Sequence, residues 1–163
     1  MRKAFCLLLM LLLAGCRTEE TFETVTDEQV MPVMAQRRHI CVELPGETSL
    51  PVMGNDNGRV YLCDDYEIMI QTMEAGDLEK TMQSISGHER ADMTVMETFS
   101  DDISRYEFVW ASLGEKGDRT GRGVILDDGS YHYCMSVLRN ADPAEKSQIN
   151  WDQVFSSFSL ASY

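Results

Sequence analysis

A chain of 163 residues with 14 basic and 27 acidic side chains, a formal net charge of −13, has room for one domain with a proper core. Charge of that sign repels phosphate backbones and anionic headgroups, so no nucleic-acid partner is expected. Cationic, neutral or metal-bridged partners are favoured, and the same charge keeps an exposed protein soluble.

Met1, Arg2 and Lys3 form a short positive segment, and Ala4 through Leu13 an unbroken apolar run. At 1.5 Å per residue such a helix reaches about 15 Å, half of a bilayer core. That is too short for a membrane span but suits the apolar core of a secretory signal. The run closes on Leu13-Ala14-Gly15-Cys16, which resembles the lipobox of bacterial lipoproteins. The resemblance covers residues 1–16. It implies a diacylglyceryl thioether on Cys16, cleavage before it, and an amine open to further acylation. Acyl burial contributes about 0.8 kcal/mol per CH₂, so two or more chains anchor stably where one does not.

The implied address is the extracytoplasmic face of a bacterial membrane, lipid-anchored. That face is the outer leaflet of the plasma membrane, or the outer membrane where the host has one. Arg17 rather than Asp follows Cys16, so inner-membrane retention is not implied. Cleavage removes two of the 14 basic residues, leaving 12 against 27 acidic ones and a mature charge near −15.

The domain plan is then a signal peptide over 1–15, a lipidated Cys16 with an acidic tether to 36, and one globular domain over 37–163. The tether, Thr- and Glu-rich, spans roughly 25 Å as a flexible chain. Cys6 leaves with the signal, so Cys41, Cys63 and Cys134 remain in the domain. Export permits a disulfide, and Cys41 with Cys63, on early neighbouring strands, is the candidate pair. Three reduced cysteines acting as small hydrophobes is the alternative.

In chain order, His39–Leu44 reads as a strand stopped by Pro45-Gly46, and residues 54–58 read as a turn. Arg59–Met73 suits one long strand or two broken at Asp64-Asp65. Asp77 caps a short helix with Leu78, Met82 and Ile85 on one face and Gly87 at its end. Met93–Thr98 and Arg105–Leu113 are further strands. Asp128-Gly129 is a favoured two-residue hairpin turn, pairing Val124-Ile125-Leu126 with Tyr131-His132-Tyr133. One face carries Val124, Leu126, Tyr131, Tyr133, Met135 and Val137; the other carries Ile125, His132, Cys134 and Leu138. Both are largely apolar, which predicts a central hairpin covered on both sides. A closing helix starts at Asp142-Pro143 with Glu145 completing a capping box, and buries Ile149, Trp151, Val154, Phe155 and Phe158. The expected fold is α+β, a mostly antiparallel sheet with a short helix and a C-terminal helix packed on it.

The short helix, the aromatic meander and the closing segment Trp151-Asp152-Gln153-Val154-Phe155-Ser156-Ser157-Phe158 resemble the PsbP/Mog1/DcrB-like fold, over roughly residues 38–163. Domains of that family often end in a tryptophan helix running into a Ser-Phe strand. The resemblance implies binding or assembly roles in exported lipoproteins and photosystem subunits, and no catalytic residues.

His39, His88 and His132 sit in no HExxH or HxH pattern and beside no cysteine. No GxSxG elbow occurs. The absence of CxxC and of Cys/His clusters leaves no redox or zinc motif. Gly117–Gly123 lacks the Gly-Lys-Ser/Thr close of a phosphate loop, but Arg119 and Arg122 make it a local basic spot where an anion site is conceivable. His132, between two tyrosines, joins them as the speculative ligand site; a structural histidine is the plainer reading. Residues 53–64 are not an EF-hand, since Met53 holds the first ligand position and Asp64 the twelfth. Asp64-Asp65 and Asp101-Asp102 read as solvated acids, so no metal and no cofactor are expected. The dispersed methionines read as core filler, and so do Trp110 and Trp151, although either could line a groove.

The reading is a non-catalytic binding or assembly module, held to the membrane by lipid and engaging an envelope protein. The first alternative is a small-molecule or metal-binding envelope sensor, which needs a pocket near His132, Arg119 and Arg122. The second is an envelope hydrolase, in which His132 or His88 meets a nucleophile or acid in space.

Overall fold

The computed structural model describes residues 36–46, 48, 50–100, 102–113, 118–141 and 149–161. All of them lie in one compact unit, Ala35–Tyr163. The signal segment, Cys16, the tether to residue 35, Asp101 and the Asp142-Pro143-Ala144-Glu145 start signal lie outside the described residues.

The strands are β1 Ile40–Cys41, β2 Met53–Asn55, β3 Gly58–Leu62, β4 Tyr66–Glu74, β5 Thr94–Ser100, β6 Ile103–Ser112, β7 Arg119–Asp127, β8 Tyr131–Asn140 and β9 Ser159–Leu160. Helix α1 is Leu78–Ser86 and helix α2 is Trp151–Ser157. Strands β2 to β8 form a seven-stranded sheet in the order β2-β3-β4-β8-β7-β6-β5, with every neighbouring pair antiparallel. Strands β1 and β9 make a separate two-stranded pair. The fold is α+β and dominated by antiparallel sheet, as its alternating strand pattern predicts.

The central β7–β8 hairpin is buried on both faces, because its side chains are apolar at both parities. On one face Val124, Leu126, Tyr133, Met135 and Val137 join Ile68 and Ile70 of β4 under Val154, Phe155 and Phe158. On the other, Ile125 and Cys134 pack with Phe108, Trp110 and Met93 against Met82 of α1. The sheet thus has an α2 face and an α1 face.

Helix α1 keeps the limits its residues announce. Asp77 accepts hydrogen bonds from the Glu79 and Lys80 amides, and Gly87, at φ 75°, closes the helix with its N–H on Gln83 O. The β3–β4 break falls at Cys63–Asp65, between strands rather than within one.

Four details differ from expectation. The hairpin turn centres on Gly129-Ser130, since Asp128 N donates to Tyr131 O and Gly129 takes φ 84°. Leu126 therefore faces Tyr133, and Ile125 faces Cys134. Asp128 Oδ1 accepts from the Ser130 and Tyr131 amides, which moves the turn one residue along. The register slides by two, so every side chain keeps its predicted face. Second, the first strand pairs only over Ile40–Cys41, the length its partner β9 offers. Third, α2 starts at Trp151, with Asn150 as its cap accepting from the Gln153 amide. Fourth, Cys41, Cys63 and Cys134 are free thiols, and the candidate Cys41–Cys63 bridge is not formed. Alternation along β1 turns Cys41 to solvent with His39 and Glu43, whereas Cys63 packs on the core beside Ile40 and Val42.

Candidate functional site

Helix α2 is too short to roof the whole of its face. Its buried side chains cover β4, β8 and β7. Beyond them the α2-facing residues of β5 and β6, Thr94, Met96, Thr98, Val109 and Ala111, are exposed. Between this uncovered area and the start of α2 lies a cleft of about 820 Å³. Val109, Ala111, Val137 and Trp151 supply its apolar wall, and Asp92, Arg122, Arg139 and Asp152 its charge. Trp151 is held upright by an edge-on contact with Tyr66, ring centres 5.0 Å apart.

Arg122 and Asp152 of the cleft lining belong to a chain of ion pairs between sheet and helix. Glu107 on β6 receives Arg105 Nε at 2.9 Å on one carboxylate oxygen and Arg122 at 2.8 Å on the other. Arg122 also donates to Asp152 of α2 at 2.6 Å and lies 4.2 Å from the Phe155 ring centre. Arg105 donates to Phe155 O and Phe158 O, two carbonyls at the C-terminal end of α2. Burial pulls the Glu107 carboxyl up, but hydrogen bonds from Arg122 and Arg105 and their charges outweigh it and hold it below its usual range. Burial likewise pulls Arg122 down, and its bonds to Glu107 and Asp152 carry it above its ordinary value. The network fixes α2 on the sheet. It also leaves Arg122 and Asp152, two of the charged residues that line the cleft, already paired.

The residues singled out from sequence do not come together. Arg119 opens β7 as strand, not loop, and sits on the α1 face; Arg122 sits on the α2 face. His132 is paired with Asp127 at the far end of β7, eight residues from Arg119 and about 27 Å along the strand. His132 is only 1% exposed, more buried than a half-covered strand position. Its Nδ1 lies 2.9 Å from Thr81 Oγ1, and its Nε2 lies 3.6 Å from Asp127 Oδ2. The order hydroxyl, imidazole, carboxylate is that of a nucleophilic triad, yet Thr81 lies on the buried face of α1 and its Oγ1 also donates to Asp77 O. This array ties α1 to the sheet; the Thr81 hydroxyl and the His132 ring are buried, and only the Asp127 carboxylate is partly exposed. His88 lies at the end of α1, where its amide donates to Ser86 Oγ. Among the described residues no group of three or more His, Cys, Asp and Glu could hold a metal ion. Among them, too, no buried side-chain nitrogen or oxygen lacks a partner.

Compared with known proteins, the chain matches no family model and no curated relative. The site is therefore read from its own geometry.

Sequence reading missed Arg105, Glu107 and Asp152. A signal was present: Arg105 and Glu107 share one parity of an otherwise aromatic and β-branched strand, and charges that alternate into a covered face need partners there.

Proposed function

We propose that the protein is a lipoprotein, anchored through Cys16 on the extracytoplasmic face of a bacterial membrane, whose domain binds a segment of a protein partner. The observation that carries the binding reading is the conjunction of the apolar cleft with the edge strand beside it. Strand β5 is last in the sheet, and the exposed apolar side chains Met96 on β5 (59% exposed) and Val109 on β6 (46% exposed) lie beside its free edge and its partner strand. A sheet edge next to a pocket is the arrangement in which an extended segment adds as a further strand and drops alternate side chains into the pocket. The occupant we propose is such a strand, with apolar side chains for the Val109–Val137–Trp151 wall and basic flanks suited to a chain of net charge −13. The pairing of Glu107, Arg122 and Asp152 with one another disfavours a small polar ligand, which would have to break those bonds.

The finer fold assignment, PsbP/Mog1/DcrB-like, belongs to the same proposal. A helix opened by Trp151 and leading directly into the short strand β9 supports it.

Two measurements test the reading. The address is tested by labelling with a clickable fatty acid; label should be lost in Cys16→Ser, and persistence of label would overturn the anchor. The binding site is tested by selecting peptides from a random display library on the full chain. Expected binders are apolar with basic flanks, protect β5 amides from exchange and are lost with Val109→Glu. Binders indifferent to Val109→Glu, or a small molecule carried in the cleft of the purified protein, would overturn partner binding.

A further inference from the structure

The edge strand β5 presents two different faces. Thr94, Met96 and Thr98 lie on the α2 side, beside the apolar cleft; Val95, Glu97 and Phe99 lie on the α1 side. Val95 packs against the core on that side, and Phe99 is exposed. Between them stands Glu97, exposed, across from Tyr106 of β6 and at the middle of the seven-residue strand. Asp92 precedes the strand and Asp102 follows it, both exposed. No Lys, Arg or His occurs from Asp92 to Ser104. Among the described residues, none of the carboxylates of Asp92, Glu97 and Asp102 has an ion-pair partner. The free edge is acidic at its centre and at both ends.

That placement decides between occupants. A second copy adding antiparallel with full overlap sets Glu97 against its own counterpart and Asp92 against the counterpart of Asp102. Like charges directly opposite each other destabilise a strand pair, and charge on an edge strand is a usual block to self-pairing. A segment with a basic side chain at the matching central position meets the reverse situation. It gains an opposite-charge pair with Glu97, flanked on the same side by apolar contacts with Val95 and Phe99. The residues next to that basic one point to the other face, toward the cleft, where Met96 and Val109 favour apolar side chains.

We infer that Glu97 determines the sequence class of the partner strand. That strand carries a basic side chain at its centre, apolar neighbours turned toward the cleft, and basic residues just beyond either end. The inference rests on the strand-addition reading of the cleft and adds to it the position that the α1 side of the edge recognises. The same carboxylate turns away a second copy of this chain and admits a basic segment, so one residue sets both what the edge refuses and what it takes.

The test takes peptides selected from a random display library on the full chain and measures their affinity and the exchange of the β5 amides. Binders should carry Lys or Arg at one central position, and replacing it by Glu should weaken binding to the wild type about fivefold or more. Glu97→Lys should bring the Glu-bearing peptide back to within about twofold of the original pair. Glu97→Gln keeps the size of the side chain and should remove the preference without reversing it, so the comparison stands even if Glu97→Lys fails to fold. Binders that protect β5 and are lost with Val109→Glu, yet are indifferent to both Glu97 variants, would overturn this inference and leave strand addition intact. If no binder protects β5, both fall. Protection of β5 that rises with protein concentration in the absence of peptide would make a second copy the occupant and overturn the role of Glu97.

Discussion

Gly121 and Gly123 are required by the rings above them. A Cβ at either position would come closer than 3.0 Å to the aromatic carbons of Trp110 and Phe108, a separation that real Cβ atoms essentially never show. The two rings stack on each other at 5.6 Å and are buried under α1, so neither can swing aside cheaply. Gly121→Ala and Gly123→Ala should each lower stability by about 1–3 kcal/mol or more, read from urea unfolding midpoints at unchanged slope. Glu107 supports a second prediction. Its folded-state pKa lies below the value near 4.3 of an unfolded glutamate, so its contribution is fully present above about pH 4.3 and is lost as pH falls through the lower folded value. Glu107→Gln leaves Arg105 and Arg122 facing each other and should cost about 1–3 kcal/mol at pH 7. In a pH series of unfolding curves the variant should fall less steeply than wild type on acidification; parallel curves would show that Glu107 does not carry the acid limb. Such partners were hard to read from the chain, because sheet register brings Glu107 to Arg122 and the docking of α2 brings Asp152 to it, and neither is local in sequence.

At the scale of elements, local chemistry was the legible part. Asp77, the Leu78–Met82–Ile85 stripe and Gly87 specify α1 without help from the rest of the fold, and the helix lies between them. Asp77→Ala should therefore cost about 1 kcal/mol, with helix content retained because the Met82 face still docks; a loss well above 2 kcal/mol would mean that the cap also secures the Thr81–His132 contact. The β7–β8 hairpin shows where local reading stops. Asp128-Gly129 favours a turn, but the Asp128 carboxylate bonds the two amides after Gly129 and shifts it. Face assignment survived since the shift was even. That same parity placed Arg122 with Val124 and His132 with Cys134, on opposite faces, so the scattering of the speculative ligand site was legible in the alternation itself. The start of α2 was not, because Asn150, which caps it, is followed by no Glu or Pro signal that marks it out in the chain.

For the whole molecule, burial orders the reactivity of the three thiols among the described residues, and that order can be measured. Cys41 faces solvent, Cys63 is half-covered at the β3–β4 turn, and Cys134 lies at the centre of the sheet beneath α1. Burial pushes the Cys134 thiol up to about 12, so at neutral pH its reactive thiolate is both scarce and unreachable. Alkylation followed by peptide mapping at pH 8 should modify Cys41 within the dead time and Cys63 next. Cys134 should react only as fast as the three-layer structure opens. Its rate should rise with urea in step with global unfolding, and Gly121→Ala, which lifts Trp110 off the sheet, should raise it by the same free energy that it removes from stability. If Cys134 instead reacted in native buffer at a rate insensitive to urea, α1 would be leaving the sheet by itself, and the two faces would have separate stabilities. A single urea-dependent rate shared by Gly121→Ala and Glu107→Gln, which lie on opposite faces, would show that the central hairpin couples both layers into one cooperative unit.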